Sequence, residues 1–97
     1  MDTLAKALIS RASGQSKLRV GDVVICEVDL AMIHDSGGPR RVKPILDRLQ
    51  RQVWDKDKIV VVTDHYVPAD NAETQAIQAL TKQWVQDQSI DKFYDEQ

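Results

Sequence analysis

Cysteine is nearly absent from this chain of 97 residues, which contains Cys26 alone. One thiol cannot form an internal disulfide, and by itself it cannot hold a zinc ion or an iron–sulfur cluster. Because this chain has neither an internal disulfide nor a cysteine-bound metal site to stabilise it, it has to fold around an apolar core. Its hydrophobic fraction of 42% is sufficient for such a core.

The chain also lacks long apolar runs and blocks of like charge. Its clearest apolar run, Ile59–Val62, is far too short to span a membrane, and the first ten residues lack the features of a secretory signal. The net charge is −2, and no lysine and arginine cluster is interleaved with aromatic residues, which argues against a nucleic-acid partner. We therefore expect a cytoplasmic protein that binds neither membrane nor nucleic acid.

Helix and strand patterns alternate along the chain. Apolar residues at helical spacing predict three helices, and apolar or alternating stretches predict two strands and a shorter third one. Such alternation is typical of an α/β fold, in which helices flank a small, mainly parallel sheet. We expect residues 1–97 to form a single α/β unit that is the N-terminal part of a larger domain. In chain order, the predicted elements are a helix over 3–11, a strand over 23–33, a helix over 39–49, a strand over 58–65, a helix over 71–88 and a strand over 90–94.

Several single residues carry structural predictions. The four β-branched residues of Ile59–Val62 predict a strand that is buried on both faces, and two or three strands leave apolar surface uncovered near it. Trp54 and Trp84 are expected to anchor the packing, and Cys26 to be a small buried residue inside the first strand. Asp70 has the position of an N-cap for the third helix.

Both histidines lie at the end of a predicted strand and neighbour an aspartate: His34-Asp35 follows the first strand, and Asp64-His65 ends the second. Ligands of α/β sheets bind beyond the carboxyl ends of the strands, and parallel neighbouring strands would bring both pairs to one edge. A carboxylate beside a histidine can fix the ring tautomer and favour the imidazolium, which makes a general acid or base. Adjacent residues within a strand point to opposite faces, so the pair works only where the strand breaks, as Pro68 indicates. A solvated strand end is the plainer interpretation, and it stays open.

The glycine-rich loop over 36–39 offers a second interpretation. Free amides at the start of a helix attract an anion, and Arg40 and Arg41 add positive charge, so a carboxylate or phosphate would fit. An ordinary glycine turn beside a solvated basic face explains the same residues more simply. The two histidine–aspartate pairs could also bind a divalent metal, but they lack HxH or HxxxH spacing, and we assign no metal ligand.

Two stretches, VDLAMIHDSGGP and DKIVVVTDHYVPA, are long and specific, and they lie in an order that covers nearly the whole chain. They resemble the start of large subunits of the aconitase superfamily, especially those of 3-isopropylmalate dehydratase and homoaconitase. The resemblance implies part of an α/β/α domain in a hydro-lyase that moves water across a 2-hydroxy di- or tricarboxylate, as in leucine biosynthesis. It also implies a 4Fe–4S cluster in the full-length enzyme, with one iron that acts as a Lewis acid on the substrate.

The resemblance further implies roles for single residues. Asp64 and His65 match an active-site pair that helps the departing hydroxyl to leave as water, and they are therefore expected to be catalytic. His34, Asp35 and Ser36 match a loop that faces the substrate, although the family varies at the position of His34.

The departures from the family pattern bear on function. Family members bind the cluster through three cysteines, Cys26 matches none of them, and we expect no cluster to be bound by this chain alone. The expected partners are therefore the remainder of the large subunit, a small swivelling subunit and a hydroxyacid substrate. The alternatives are a truncated stand-alone domain that binds carboxylates or mediates an interaction without catalysis, and a small metal-dependent enzyme.

Overall fold

The computed structural model describes residues 3–95. These residues form an α/β fold with three helices, one short 3-10 helix over Lys56–Lys58, and a parallel three-stranded sheet, which confirms the predicted fold class. The helices and strands are α1 (Leu4–Ser13), β1 (Ala31–His34), α2 (Pro39–Leu49), β2 (Ile59–Val62), α3 (Ala72–Asp87) and β3 (Phe93–Tyr94).

The sheet has the order β1-β2-β3, with β2 in the centre. His34, the last residue of β1, lies opposite Val62, the last residue of β2, so both strands end at the same level. The backbone N–H of Asp35 donates to the Val62 carbonyl at 3.2 Å and extends the pairing by one residue. The residues that follow the two strands therefore meet at one edge of the sheet.

The core lies between β2 and helices α2 and α3. Val61 is completely buried against Trp84 and Val85 of α3 and against Ile90. Trp84 is thus the packing anchor that the sequence predicts. Val60 is also buried, whereas the two end residues of β2 are only partly buried, so the expected burial on both faces holds for the middle of the strand.

The predicted strand over 23–33 is wrong for most of its length, because β1 begins only at Ala31. Val23 is 94% exposed and Ile25 is 92% exposed. The pairing explains this difference: Ala31 lies opposite Ile59, where β2 begins, so the residues before Ala31 have no strand to pair with. Cys26 accordingly lies outside any strand and is only partly buried.

Two further predictions about single residues are wrong. Trp54 is 92% exposed rather than buried, and its ring lies 5.8 Å from the Lys58 ammonium. The N-cap of α3 is Asn71 rather than Asp70: its side chain accepts from the Thr74 N–H at 2.9 Å, and the Thr74 hydroxyl accepts from the Asn71 N–H. The capping box therefore begins one residue later than predicted. The third residue after Asn71 is Thr74, whose hydroxyl accepts from the N–H of the N-cap residue.

Within residues 3–95, no helix is both long enough and apolar enough to cross a membrane. Apolar side chains are nevertheless exposed on the edge strand β1 and on the segment before it. These exposed residues are Val20, Val23, Ile25, Val28, Leu30 and Met32.

Candidate functional site

Asp64 and His65 lie just beyond the end of β2, where the extended backbone has ended. The two side chains meet there: the distance from His65 Nδ1 to Asp64 Oδ1 is 2.6 Å, and both side chains are about half exposed. A carboxylate at this distance favours a proton on Nδ1 and leaves Nε2 for a ligand. The structure thus brings together the pair that the sequence singles out.

His34 reaches the same edge from the end of β1. Its Nδ1 accepts hydrogen bonds from the backbone N–H groups of Ser36 and Gly37, both at 3.2 Å. A ring nitrogen that accepts two N–H groups uses its lone pair for them, so these contacts assign the ring proton of His34 to Nε2. The chain turns tightly here, since a side chain at Gly38 would overlap the His34 carbonyl oxygen.

The two imidazole rings stack on each other. The ring centroids of His34 and His65 are 3.9 Å apart, and the ring planes differ by 8°. Two charged imidazolium rings would repel at this distance, whereas two rings of which at most one is charged can stack in this way. Neither Nε2 atom has a hydrogen-bond partner among residues 3–95, so both are available to a ligand.

Asp35 occupies the centre of the site and is completely buried, with a side-chain exposure of 0%. Its Oδ1 accepts from the His65 N–H at 3.0 Å, and its Oδ2 accepts from the Tyr66 N–H at 3.0 Å. Burial on its own raises the pKa of Asp35, but the hydrogen bonds from Tyr66, His65 and Gln78 outweigh it, and the pKa falls below its ordinary value. Asp35 is therefore a buried, charged acceptor.

Gln78, which is not among the residues predicted from the sequence, reaches the site from α3. Its side-chain Nε2 donates to Asp35 Oδ2 at 2.7 Å and to the Tyr66 carbonyl at 3.1 Å. Gln78 lies next to Ile77 on the buried face of the helix and is itself buried. A glutamine on an apolar helical stripe is a signal that could have identified it, because buried amides need partners.

The amides of the loop over 36–39 are partly used by the protein itself. The N–H groups of Ser36 and Gly37 point to His34, and Arg40 Nε donates to the Ser36 carbonyl at 2.7 Å. The Arg40 guanidinium also lies 5.5 Å from the Tyr66 ring, whereas Arg41 is exposed. The hydrogen bonds favour the interpretation of this loop as a turn that holds His34.

The four histidine and aspartate side chains form a compact cluster whose nearest ligand atoms all lie within 4.8 Å of one another. The Asp35 oxygens and His34 Nδ1 already accept N–H groups, and these hydrogen bonds explain the arrangement without a cation. An iron–sulfur cluster does not fit the donors of this chain, because Cys26 is the single cysteine and its thiol contacts the Ile9 carbonyl.

Sequence comparisons show which known proteins these residues resemble. No protein-family profile matches the chain. However, it is 41% identical over 93 residues to 3-isopropylmalate dehydratase large subunit 1 of Methanopyrus kandleri, and 38% identical over 93 residues to the probable large subunit of Methanothermobacter thermautotrophicus. Both alignments cover 96% of this chain. Over its aligned residues, the chain is therefore similar to the large subunits of 3-isopropylmalate dehydratase.

The homoaconitase branch of this family is similar as well. The probable methanogen homoaconitase large subunit of Methanothermobacter thermautotrophicus is 31% identical over 91 residues, which are 90% of this chain. The chain spans about a fifth of the length of the curated relatives it matches, with 22%, 22% and 21% covered in these three. The resemblance to the dehydratase and homoaconitase large subunits is thus confirmed over nearly the whole chain.

Proposed function

We propose that this chain contributes one part of the active site of a hydro-lyase that acts on a 2-hydroxy di- or tricarboxylate of the 3-isopropylmalate type. One observation carries the proposal: the hydrogen-bonded Asp64–His65 pair stacks on His34 beyond the carboxyl ends of two parallel strands. The names of the relatives support this choice of reaction class.

Asp64 and His65 are the catalytic residues in this proposal. Dehydration breaks the bond between carbon and the hydroxyl oxygen, and hydroxide is a poor leaving group unless it receives a proton. The Asp64 carboxylate stabilises a proton on His65 Nδ1, so Nε2 of the imidazolium can protonate the departing hydroxyl, which leaves as water. The base that removes the proton from carbon lies outside this chain.

His34 and Ser36 bind the substrate in this proposal. His34 has its ring proton on Nε2 and can donate it to a substrate carboxylate, while the Ser36 side chain lies in the same turn. Asp35 belongs to the same loop, but no oxygen of a fully buried carboxylate is open to a substrate carboxylate, which it would also repel.

The proposed partners are the remainder of a large subunit and a small subunit, as the names of the relatives imply. In the family, a 4Fe–4S cluster supplies a Lewis-acid iron. The ligands of such a cluster would have to come from elsewhere, because this chain has one cysteine. This chain itself supplies two proton donors, the Nε2 atoms of His34 and His65.

In the test, the residues of this chain replace the aligned segment of the Methanopyrus kandleri large subunit. The resulting protein is then assembled with the small subunit. Replacing His65 by alanine should lower kcat for dehydration by about 100- to 10,000-fold, the usual contribution of a general acid. The cluster absorbance should not change, because His65 holds no cluster. Gln75→Ala on the exposed face of α3 is the control, and turnover retained by His65→Ala would remove the catalytic role.

A further inference from the structure

Asp35 is the one completely buried carboxylate among the described residues. A buried charge is stable only where donors surround it, and here the donors come from two parts of the structure. Two are successive backbone N–H groups, those of His65 and Tyr66, and the third is the Gln78 amide from α3. The Asp35 side chain, in the loop after β1, thus holds both the loop after β2 and helix α3.

The bonds to the backbone determine where His65 can lie. A carboxylate that accepts from two successive N–H groups fixes the orientation of the peptide between them, and this peptide carries the His65 side chain. His65 Nδ1 lies 3.8 Å from Asp35 Oδ1 and 2.6 Å from Asp64 Oδ1, so the ring contacts both carboxylates at one edge. The His34 ring covers its face.

We propose that Asp35 is a positioning residue, which aims the His65 imidazole by anchoring the His65–Tyr66 backbone, and that Gln78 holds Asp35 in this orientation. Gln78 is suited to this because its Nε2 faces two acceptors, the Asp35 carboxylate and the Tyr66 carbonyl. Its buried Oε1 has no hydrogen-bond partner within residues 3–95, so there the amide orientation is determined by the Nε2 side alone. The proposal rests on the proposed function only where it calls His65 catalytic.

The geometry can be measured in the 97-residue chain without turnover, by nuclear magnetic resonance. In the wild type we expect nuclear Overhauser contacts between the two imidazole rings and downfield amide protons at His65 and Tyr66. Asp35→Asn keeps the size of the side chain but replaces one acceptor oxygen by an NH2 group, which cannot accept an N–H. It should abolish the ring contact and move both amide signals upfield, while the Trp84 indole signal in the core is unchanged. Ring contacts and amide signals that stay as in the wild type would overturn the proposal.

Gln78→Glu is the second variant, and it decides the question if Asp35→Asn does not fold. It turns the donor into a second carboxylate that faces Asp35 and the Tyr66 carbonyl, so the same signals should shift. Gln75→Glu is the matched control on α3, because Gln75 is exposed and its amide makes only a 3.4 Å bond to the Ala69 carbonyl. Unchanged ring contacts in a folded Gln78→Glu variant would contradict the role of Gln78 and Asp35.

Kinetics in the exchanged dehydratase separate a positioning residue from a substrate ligand. Asp35→Asn should lower kcat by more than about tenfold and change KM by less than about threefold, because it disturbs the acid and not the binding of substrate. A large rise in KM with an unchanged kcat would instead make Asp35 a substrate ligand. His65→Ala tests the catalytic role separately: turnover retained by this variant would remove that role, whereas the spectra of Asp35→Asn would still report where the His65 ring lies.

Discussion

At the residue scale, the site depends on which atoms carry protons. Two backbone N–H groups donate to Nδ1 of His34, and a carboxylate at 2.6 Å favours the proton on Nδ1 of His65. The sequence predicts that the two histidine–aspartate pairs meet, because both follow parallel strands. It does not predict the division of roles within His34-Asp35. That division depends on burial, which leaves the His34 side chain partly exposed and encloses the Asp35 side chain completely.

Asp35 should make the stability of the fold depend on acidity. Its pKa is lowered in the folded chain, so its contribution is complete above the unfolded value of about 3.9 and is lost as the pH falls through the lower folded value. Urea unfolding of the wild type should therefore show a midpoint that falls between about pH 5 and pH 2.

Asp35→Asn should be less stable than the wild type at pH 6 and should show a flatter dependence on pH. Asp29→Asn makes the same chemical change at an exposed residue, and its curve should run parallel to that of the wild type. If the urea midpoint of Asp35→Asn depended on pH as steeply as that of the wild type, this would contradict the buried, charged state of Asp35.

At the scale of elements, local signals predict the helices better than they predict the strands. The limits of α3 follow from its apolar stripe and its caps, whereas the length of β1 depends on a partner. Residues 23–30 have a strand-like sequence but lie before the point where β2 begins, so no ladder forms there. Strand pairing is a relation between distant residues, which a pattern within one segment does not contain.

The N-cap of α3 gives a matched pair of variants. Asn71→Ala removes the acceptor of the Thr74 N–H and should lower the free energy of unfolding by about 1 kcal/mol. Asp70→Ala should change it by less than about 0.5 kcal/mol, because Asp70 lies outside the helix and caps nothing. Both values come from urea denaturation at pH 7, and a larger effect at Asp70 than at Asn71 would contradict the capping box.

At the scale of the whole molecule, the described residues leave apolar surface uncovered. β1 is an edge strand of the sheet, and β1 together with the segment before it exposes six large apolar side chains, among them Val23 and Ile25. An open strand edge beside exposed apolar residues promotes association. The sequence predicts uncovered apolar surface near Ile59–Val62, but the middle of β2 is buried and the exposed residues lie on its neighbour.

The 97-residue chain should therefore associate as its concentration rises. Sedimentation velocity should show an increasing average mass between about 10 and 500 μM, the range in which weak contacts are populated. Ile25→Lys, which places a charge in the exposed segment, should reduce this association, and Leu49→Lys on exposed surface at the end of α2 is the control. A monomer at every concentration would show that the exposed apolar residues do not bind each other.

The most direct test of the catalytic proposal asks whether Asp64 and His65 work as one unit. In the exchanged dehydratase, kcat is measured for Asp64→Asn, for His65→Ala and for the double variant. If the carboxylate acts through the imidazole, the double variant should be about as slow as His65→Ala alone, because Asp64 has no effect once the ring is gone. Losses that multiply, or a His65→Ala variant with the turnover of the unmodified enzyme, would contradict a proton-transfer pair at the end of β2.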